Sequence, residues 1–301
     1  MAHADGEQVP CFTFGLVTDV QHADKDDRVV VGIERHYRAA LEKFDLAVQA
    51  LNAYPLSFVI HLGDIIDGNE TDESTLRDFT NVVDLFKKLR CPTRHVIGNH
   101  CLAIPRETLL SALELGASSY YSFSPSAGWR VVVLDTLDIS ILKTQDTPEY
   151  KEAAEYISSH PRETYPNSTS WNGGLSAAQV EWLKKTLESS TAAQERVIVC
   201  GHNPLLEEAA RPDHLAWNSE EIVQLLISSP CVVAYLNGHY HQGGYALRDG
   251  VHFITIEAIV DCDEGSNSYS VVYVYEDHMI IKGFGRLTSR DVPLRPLSLV
   301  N

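Results

Sequence analysis

No run in this 301-residue chain reaches the roughly 18 apolar residues of a membrane-crossing helix, so a membrane-spanning protein is not expected. The N-terminal Met1-Ala-His-Ala-Asp-Gly-Glu-Gln8 has neither a basic start nor an apolar stretch, and does not read as a secretory signal. Cysteine is sparse. Its six positions (Cys11, Cys91, Cys101, Cys200, Cys231, Cys262) form no Cys-x-x-Cys pair and fall mostly in apolar segments, the usage of reduced core thiols in a cytoplasmic protein. Basic residues are short as well: Lys+Arg 24 against Asp+Glu 41 gives a formal charge of -17, which opposes attraction to nucleic acid and to anionic membranes. A phosphate-bearing small molecule would then need metal ions to supply positive charge locally. The chain also lacks internal repeats, low-complexity runs and linkers, and nothing in it points to an obligate protein partner.

What is present is apolar sequence in short bursts. A hydrophobic content of 44% over 301 residues suffices for a full core, and one domain over 1–301 is the expectation. Five bursts share a design, a buried-type strand with a metal-capable side chain just beyond its end. Phe12-Thr-Phe-Gly-Leu-Val-Thr leads to Asp19 and Gln21, and Phe58-Val-Ile-His-Leu-Gly leads to Asp64. Arg94-His-Val-Ile-Gly leads to Asn99 and His100, Arg196-Val-Ile-Val-Cys-Gly to His202, and Cys231-Val-Val-Ala-Tyr-Leu-Asn-Gly to His239 and His241. In open α/β sheets ligands bind outside the carboxyl ends of the strands, so these five ends are expected to converge on one crevice, with Asp64 at its centre.

Between the bursts the spacing turns helical. Ala40, Leu41, Phe44, Ala47, Val48 and Leu51 predict a helix over about Glu34–Ala53 that Pro55 stops, preceded by a loop over Asp24–Val31. Leu76, Phe79, Val82, Val83, Phe86 and Leu89 predict the buried face of a second helix within Thr71–Arg90. A short helix over Ile104–Leu115 and an antiparallel strand pair (Tyr120–Phe123, Trp129–Asp135) follow. Residues 136–175 break the rhythm with prolines and aromatics, and only about Glu149–Ser158 could be helical; loops this long are usually functional or disordered, and the aromatics argue for an ordered specificity insert. Helices over Ser176–Leu187 and Ser219–Ile227 frame the His202 strand, and Val251–Ile256, Tyr269–Tyr275 and Met279–Phe284 read as an antiparallel meander.

In Asp19-Val-Gln21 and His239-Tyr-His241 the polar side chains lie two apart, so in extended chain each pair points the same way and can grip one ion. Asp64 can lend one oxygen to each of two ions, Asn99 a neutral carbonyl oxygen, and His202 an imidazole nitrogen. Two ions about 3.5–4 Å apart can acidify a water and clamp the attacking and leaving oxygens of an in-line displacement at phosphorus. Any single histidine beside a glycine is more often a turn or core residue than a ligand. Gly-Asp, Gly-Asn-His, Gly-His and Gly-His-Tyr-His in this order, each after an apolar run, are far harder to assign to chance.

The series Asp19-x-Gln21, Gly63-Asp64-x-x-Asp67, Gly98-Asn99-His100, Gly201-His202 and Gly238-His239-x-His241 resembles the calcineurin-like metallophosphoesterases over nearly the whole chain. The resemblance implies a four-layer α-β-β-α sandwich of two mixed β-sheets flanked by helices. It implies one metal on Asp19, Gln21, Asp64 and His241, a second on Asp64, Asn99, His202 and His239, and His100 beside the phosphate as transition-state stabiliser or general acid. Two departures stand out: Gln21 replaces the family's usual histidine, and Cys101 replaces an acidic residue after the Asn-His pair. An amide oxygen hardens the first site and favours Mn²⁺, with Mg²⁺ second, over iron or zinc. These departures, with Gly201-His-Asn-Pro-Leu205 and Gly238-His-Tyr-His-Gln-Gly-Gly-Tyr245, look like the manganese-using branch that hydrolyses ADP-ribose and CDP-alcohols such as CDP-choline and CDP-glycerol. Rival readings are a cyclic nucleotide phosphodiesterase, a phosphoprotein phosphatase, or a silent scaffold of the same fold. Substrate contacts are faintly marked: Tyr165, Trp171, Tyr240 and Tyr245 could stack on a base, and Arg35, Arg106 and Arg211 could hold a second phosphate. Asp67 and Asp135 are candidate supports behind the ligands, and His61 and His95 read as core.

Overall fold

The computed structural model describes residues 8–297. In chain order the strands are β1 (Phe12–Val17), β2 (Arg28–Val30), β3 (Ile33–Arg35), β4 (Phe58–His61), β5 (Thr93–His95), β6 (Tyr121–Ser126), β7 (Trp129–Val133), β8 (Arg196–Cys200), β9 (Val232–Asn237), β10 (Gly244–Arg248), β11 (Val251–Thr255), β12 (Ser268–Val274), β13 (His278–Gly285) and β14 (Arg290–Pro293). The helices are α1 (Ala39–Leu51), α2 (Asp72–Phe86), α3 (Arg106–Ala112), α4 (Pro148–Ser159), α5 (Ala177–Ala192) and α6 (Ser219–Ser228).

The strands pair into two six-stranded mixed sheets, ordered β14-β13-β12-β1-β4-β5 and β10-β11-β9-β8-β7-β6, with β2 and β3 a separate hairpin. Alternation along the strands builds the layers. Phe12, Phe14 and Leu16 of β1, Trp129, Val131 and Val133 of β7, and Ile198 and Cys200 of β8 meet in one core between the sheets. Val17, on the opposite face of β1, packs with Phe44 and Val48 of α1 and Phe79 and Val82 of α2, while Val197 and Val199 pack with Leu183 and Leu187 of α5 and Val223 of α6. Side chains two apart point to the same face, so strands apolar at every position must be covered on both faces, and helices supply the outer cover.

Most predicted elements form where their spacing places them. Thr71 caps α2 through a reciprocal bond with Ser74, Ser176 caps α5, and Thr147 caps α4 within the insert. Leu76, assigned to the buried face of α2, is instead exposed. The helix expected from Glu34 begins at Ala39. Val31 and Gly32 both adopt positive φ (51° and 83°), folding Arg28–Arg35 back on itself as the β2–β3 hairpin where a loop and a helix start were expected. The C-terminal meander is split: β11 runs parallel to β9 in the second sheet, whereas β12 pairs antiparallel with β1 in the first and β13 and β14 continue from it, each antiparallel to the one before. Among the described residues no helix is long and apolar enough to cross a membrane.

Candidate metal centre

The carboxyl ends of β1, β4 and β5 in one sheet and of β8 and β9 in the other open on a common crevice of about 490 Å³, lined by Gln21, Asp64, Asn99, His100, His239 and His241 among others. Asp19, Gln21, Asp64, Asn99, His202, His239 and His241 are all buried. Four of them, Asp19, Gln21, Asp64 and His239, have φ between 42° and 66°, a left-handed conformation uncommon for residues other than glycine. Strain of this kind gathers at functional sites, and here it turns each side chain back into the crevice just as its strand ends. The flanking glycines are needed for the same reason. A Cβ on Gly63 would collide with the His202 ring and one on Gly98 with the Asp64 carboxylate, so Gly63 lets the ends of the two sheets close on each other and Gly98 lets the ends of β4 and β5 do so within one sheet.

The three histidines are oriented from behind. His202 Nδ1 donates to the Leu62 carbonyl (2.8 Å), His239 Nε2 to Asn172 Oδ1 (2.8 Å), and His241 Nδ1 to Asp261 Oδ1 (3.0 Å). Each ring therefore turns its remaining nitrogen to the centre. There His202 Nε2 lies 3.2 Å from Asn99 Oδ1, 3.2 Å from Asp64 Oδ2 and 3.2 Å from His239 Nδ1, and His241 Nε2 lies 3.4 Å from Asp19 Oδ1. Asp19 Oδ1 is buried without a hydrogen-bond partner. A proton on His202 could serve one or two of these neighbours, but a cation amid them serves every lone pair at once. Asp64, His202 and His239 already bring ligand atoms within 4.8 Å of one another. The donor set thus fits divalent cations. Gln21 turns its amide nitrogen to Asp64 Oδ2 (3.0 Å) and its oxygen to Arg35 (3.2 Å); a half-turn about its last side-chain bond exchanges the two and presents the oxygen to the cluster.

Electrostatics sharpen the picture. Burial pushes the Asp64 carboxyl up, but the facing imidazoles of His202 and His100, with the His202 hydrogen bond, outweigh it and hold the group well below the usual carboxylate range. Burial likewise presses His241 down, yet the Asp261 and Asp19 carboxylates bring it to about 9. Asp64 is thus an ionised carboxylate with almost no exposed surface, held by the facing imidazoles and by the N–H groups of His100 and Gln21.

His100, partly exposed on the crevice wall, donates from Nδ1 to the Asp67 carbonyl (2.8 Å), with Asp67 Oδ1 at 3.6 Å. Asp67 thus holds the ring through its main chain, while its carboxylate, paired with Lys25, stands nearby without a hydrogen bond to His100. Asp135 is occupied with the Leu137 N–H and does not line the crevice. Of the aromatic candidates, Trp171 lines the crevice beneath the Arg162 guanidinium (5.3 Å), and Tyr240 lines an adjoining recess of about 250 Å³. Tyr165 packs on His160 and Tyr245 bonds His252, and neither lines these spaces. Arg35 and Arg211 line both; Arg106 lines a separate cavity beside α3. His61 and His95 are buried. Residues 12–243 match the profile of the calcineurin-like phosphoesterases.

The chain belongs to that family. Its relatives include a protein of Arabidopsis thaliana named manganese-dependent ADP-ribose/CDP-alcohol diphosphatase, 36% identical over 94% of this chain and 97% of its own. A Homo sapiens protein of the same name is 32% identical over 93% and 92%. Among solved structures, a dimetal phosphatase from Danio rerio superposes with a TM-score of 0.89 at 30% identity, covering 95% of this chain and all of its own. Within this phosphoesterase centre, the residues that sequence reasoning missed are Arg162, His214, Asn172, Asn203 and Asp261. Asp261 follows the buried Ala258–Val260, but these lie in the loop after β11, so the strand-end rule does not reach it, and Asn172, in the 136–175 segment, carries no such signal either.

Proposed function

We propose that this chain is a dinuclear metal-dependent hydrolase that cleaves the diphosphate linkage of ADP-ribose to AMP and ribose 5-phosphate, and of CDP-alcohols such as CDP-choline and CDP-glycerol to CMP and the phosphoalcohol. Asp19, Gln21, Asp64 and His241 hold one ion and Asp64, Asn99, His202 and His239 the other, Mn²⁺ preferred and Mg²⁺ accepted. When bound, the ions supply Lewis acidity to the phosphoryl oxygens and a nucleophilic water at neutral pH. The protein supplies position and charge. Asp64 stays ionised between the two ligand sets, and its Oδ1 accepts the His100 backbone N–H (2.9 Å), which ties the catalytic loop to the centre. With its Nδ1–H committed to the Asp67 carbonyl, His100 donates from Nε2 to a phosphoryl oxygen as the imidazolium, the form in which both ring nitrogens carry protons. The leaving group of a diphosphate cleavage is a phosphate monoester, whose second pKa near 6 lets it depart with little help from an acid. His100 therefore acts mainly as a donor to the charge that builds on phosphorus-bound oxygen.

One observation carries the reading: in a chain of net charge -17, Arg35, Arg162 and Arg211 converge with Trp171 on the crevice that holds the donors. Guanidinium groups match phosphate oxygens and an indole offers a face for a base, so the walls suit a nucleoside diphosphate and the insert 136–175 that carries Arg162 and Trp171 sets specificity. The full-length relatives named for ADP-ribose and CDP-alcohols support the same substrate class. The test is release of AMP from ADP-ribose and of CMP from CDP-choline with Mn²⁺, Mg²⁺ or chelator. Both products are expected with Mn²⁺, less with Mg²⁺ and none with chelator, and Asn99→Ala is expected to lose most of the rate. Cleavage of an aryl phosphodiester but of neither diphosphate would sink the substrate assignment.

A further inference from the structure

Asn172 sits at the far end of the insert, with no exposed surface, and all four of its side-chain bonds are taken. Oδ1 accepts from His239 Nε2 (2.8 Å) and from Asn203 Nδ2 (3.0 Å); Nδ2 donates to the carbonyls of Asn167 (3.0 Å) and Asp213 (2.9 Å). The reverse orientation would set an NH₂ against a donor and an oxygen against two carbonyls, so the amide has one allowed direction. Asn203, the residue after His202, is itself fixed: Thr136 Oγ1 donates to its Oδ1 (2.8 Å), and its backbone N–H donates back to Thr136 (3.0 Å). Thr136 and Asn172 are the two ends of the insert. The network thus runs from both ends of one inserted segment to one histidine.

Resting on the dinuclear reading above, we infer that Asn172 is a positioning residue that fixes His239 as the Nε2–H tautomer, so that Nδ1 is the atom offered to metal. His202 and His241 offer Nε2 instead, because their Nδ1 atoms are held by Leu62 and Asp261. Only Nδ1 of His239 lies beside His202 Nε2 (3.2 Å), and the wrong tautomer would place a proton there. The choice of an amide is also explained. An aspartate could orient His239 equally well but would leave the Asn167 and Asp213 carbonyls facing a carboxylate, whereas an amide bonds all four neighbours. The insert that builds the Arg162–Trp171 wall thereby also sets one ligand of the centre.

The experiment is Mn²⁺ titration by calorimetry into metal-stripped wild type, Asn172→Ala, Asn172→Asp and Asn167→Ala. Asn167 anchors the same segment by donating to the Ala216 and Trp217 carbonyls and does not touch His239, so it reports loosening of the insert alone. Losing the partner of a ligating histidine typically weakens metal binding 10–100-fold. Asn172→Ala is expected to weaken one of two Mn²⁺ sites by that factor and leave the other unchanged; Asn172→Asp, which keeps the acceptor, is expected to restore most of the affinity, and Asn167→Ala to stay within about threefold of wild type. Equal weakening by Asn167→Ala and Asn172→Ala, or none by Asn172→Ala, overturns the inference while leaving the dinuclear reading intact. A wild type that binds no Mn²⁺ overturns both. Should Asn172→Ala fail to fold, ¹⁵N–¹H spectra of Mg²⁺-loaded wild type decide: His239 as Nε2–H supports the assignment and Nδ1–H refutes it.

Discussion

His100 is gripped at both ends, its backbone N–H on Asp64 Oδ1 and its ring Nδ1 on the Asp67 carbonyl. Removing the ring while keeping a short polar side chain therefore tests the donor to phosphate without touching the ligands. His100→Asn is expected to lower kcat on ADP-ribose about a hundredfold, within the usual reach of a single positioned acid or donor. Calorimetry should find its Mn²⁺ affinity unchanged; equal loss in binding would mean that the ring serves the metal centre. Gln21 carries a second expectation. Gln21→His returns an imidazole to the first ligand set and softens it, so the rate supported by Zn²⁺ should rise relative to that by Mg²⁺ by tenfold or more. Rate ratios with each ion measure this, and an unchanged ratio would remove Gln21 from the choice of metal. At this scale the donors were legible because Asp64, Asn99, His202 and His239 each follow a glycine that a close approach demands, while Asp19, Gln21 and His241 lie just past an apolar run or two residues from another donor. The residues that hold them were not: Asp67 reaches His100 across 33 positions and Asn172 reaches His239 across 67, and no local spacing records such pairings.

Two neighbouring elements, β4 and β5, place His61 opposite His95 in parallel register, and burial holds both rings well below the usual imidazole range, His95 at about 3 with the Arg94 charge adding to it. Their atoms Nε2 of His61 and Nδ1 of His95 are buried without hydrogen-bond partners, so neither ring gains a stabilising contact on protonation. The unfolded chain binds protons at these positions below about 6.5 and the folded chain does not, so their contribution is complete above that pH and is lost as the pH falls toward 3. His95→Phe keeps the packing against Phe86, whose ring meets it edge-on at 4.7 Å, and deletes the proton site. Between pH 7 and 4.5 the variant should lose about 2 kcal/mol less stability than wild type, read from urea unfolding at each pH. Parallel losses would show that other groups set the acid limb. Both histidines were legible as core from the apolar runs around them. The β2–β3 hairpin was not, because its β-branched residues sit on a separate two-stranded ribbon without the alternation that marks a strand packed on a core.

On the scale of the whole molecule, unbroken apolar runs made the two-faced burial of the central strands readable, and family resemblance gave their four-layer stacking. The partition of strands between sheets escaped notice because β11 and β12 are both apolar and only the crossing loop between them decides which sheet each joins. That partition has an energetic consequence. Asp19, Gln21, Asp64 and Asn99 follow strands of one sheet and His202, His239 and His241 follow strands of the other, so ions held by both sets tie the sheets together at the open end of the sandwich. A ligand bound only by the native state adds about 2.7 kcal/mol at a hundred times its Kd, which for a chain of this size raises Tm by roughly 4 °C. Mn²⁺ should produce such a rise over a chelator-treated sample. Asp64→Asn, which weakens both ligand sets together, should abolish it, whereas Gln21→Ala, which touches one set, should leave part of it. Differential scanning calorimetry of the three proteins with and without Mn²⁺ separates the cases. Equal shifts in wild type and Asp64→Asn would place the stabilising ion elsewhere on this acidic surface, and a wild-type Tm indifferent to Mn²⁺ would mean that packing alone joins the sheets.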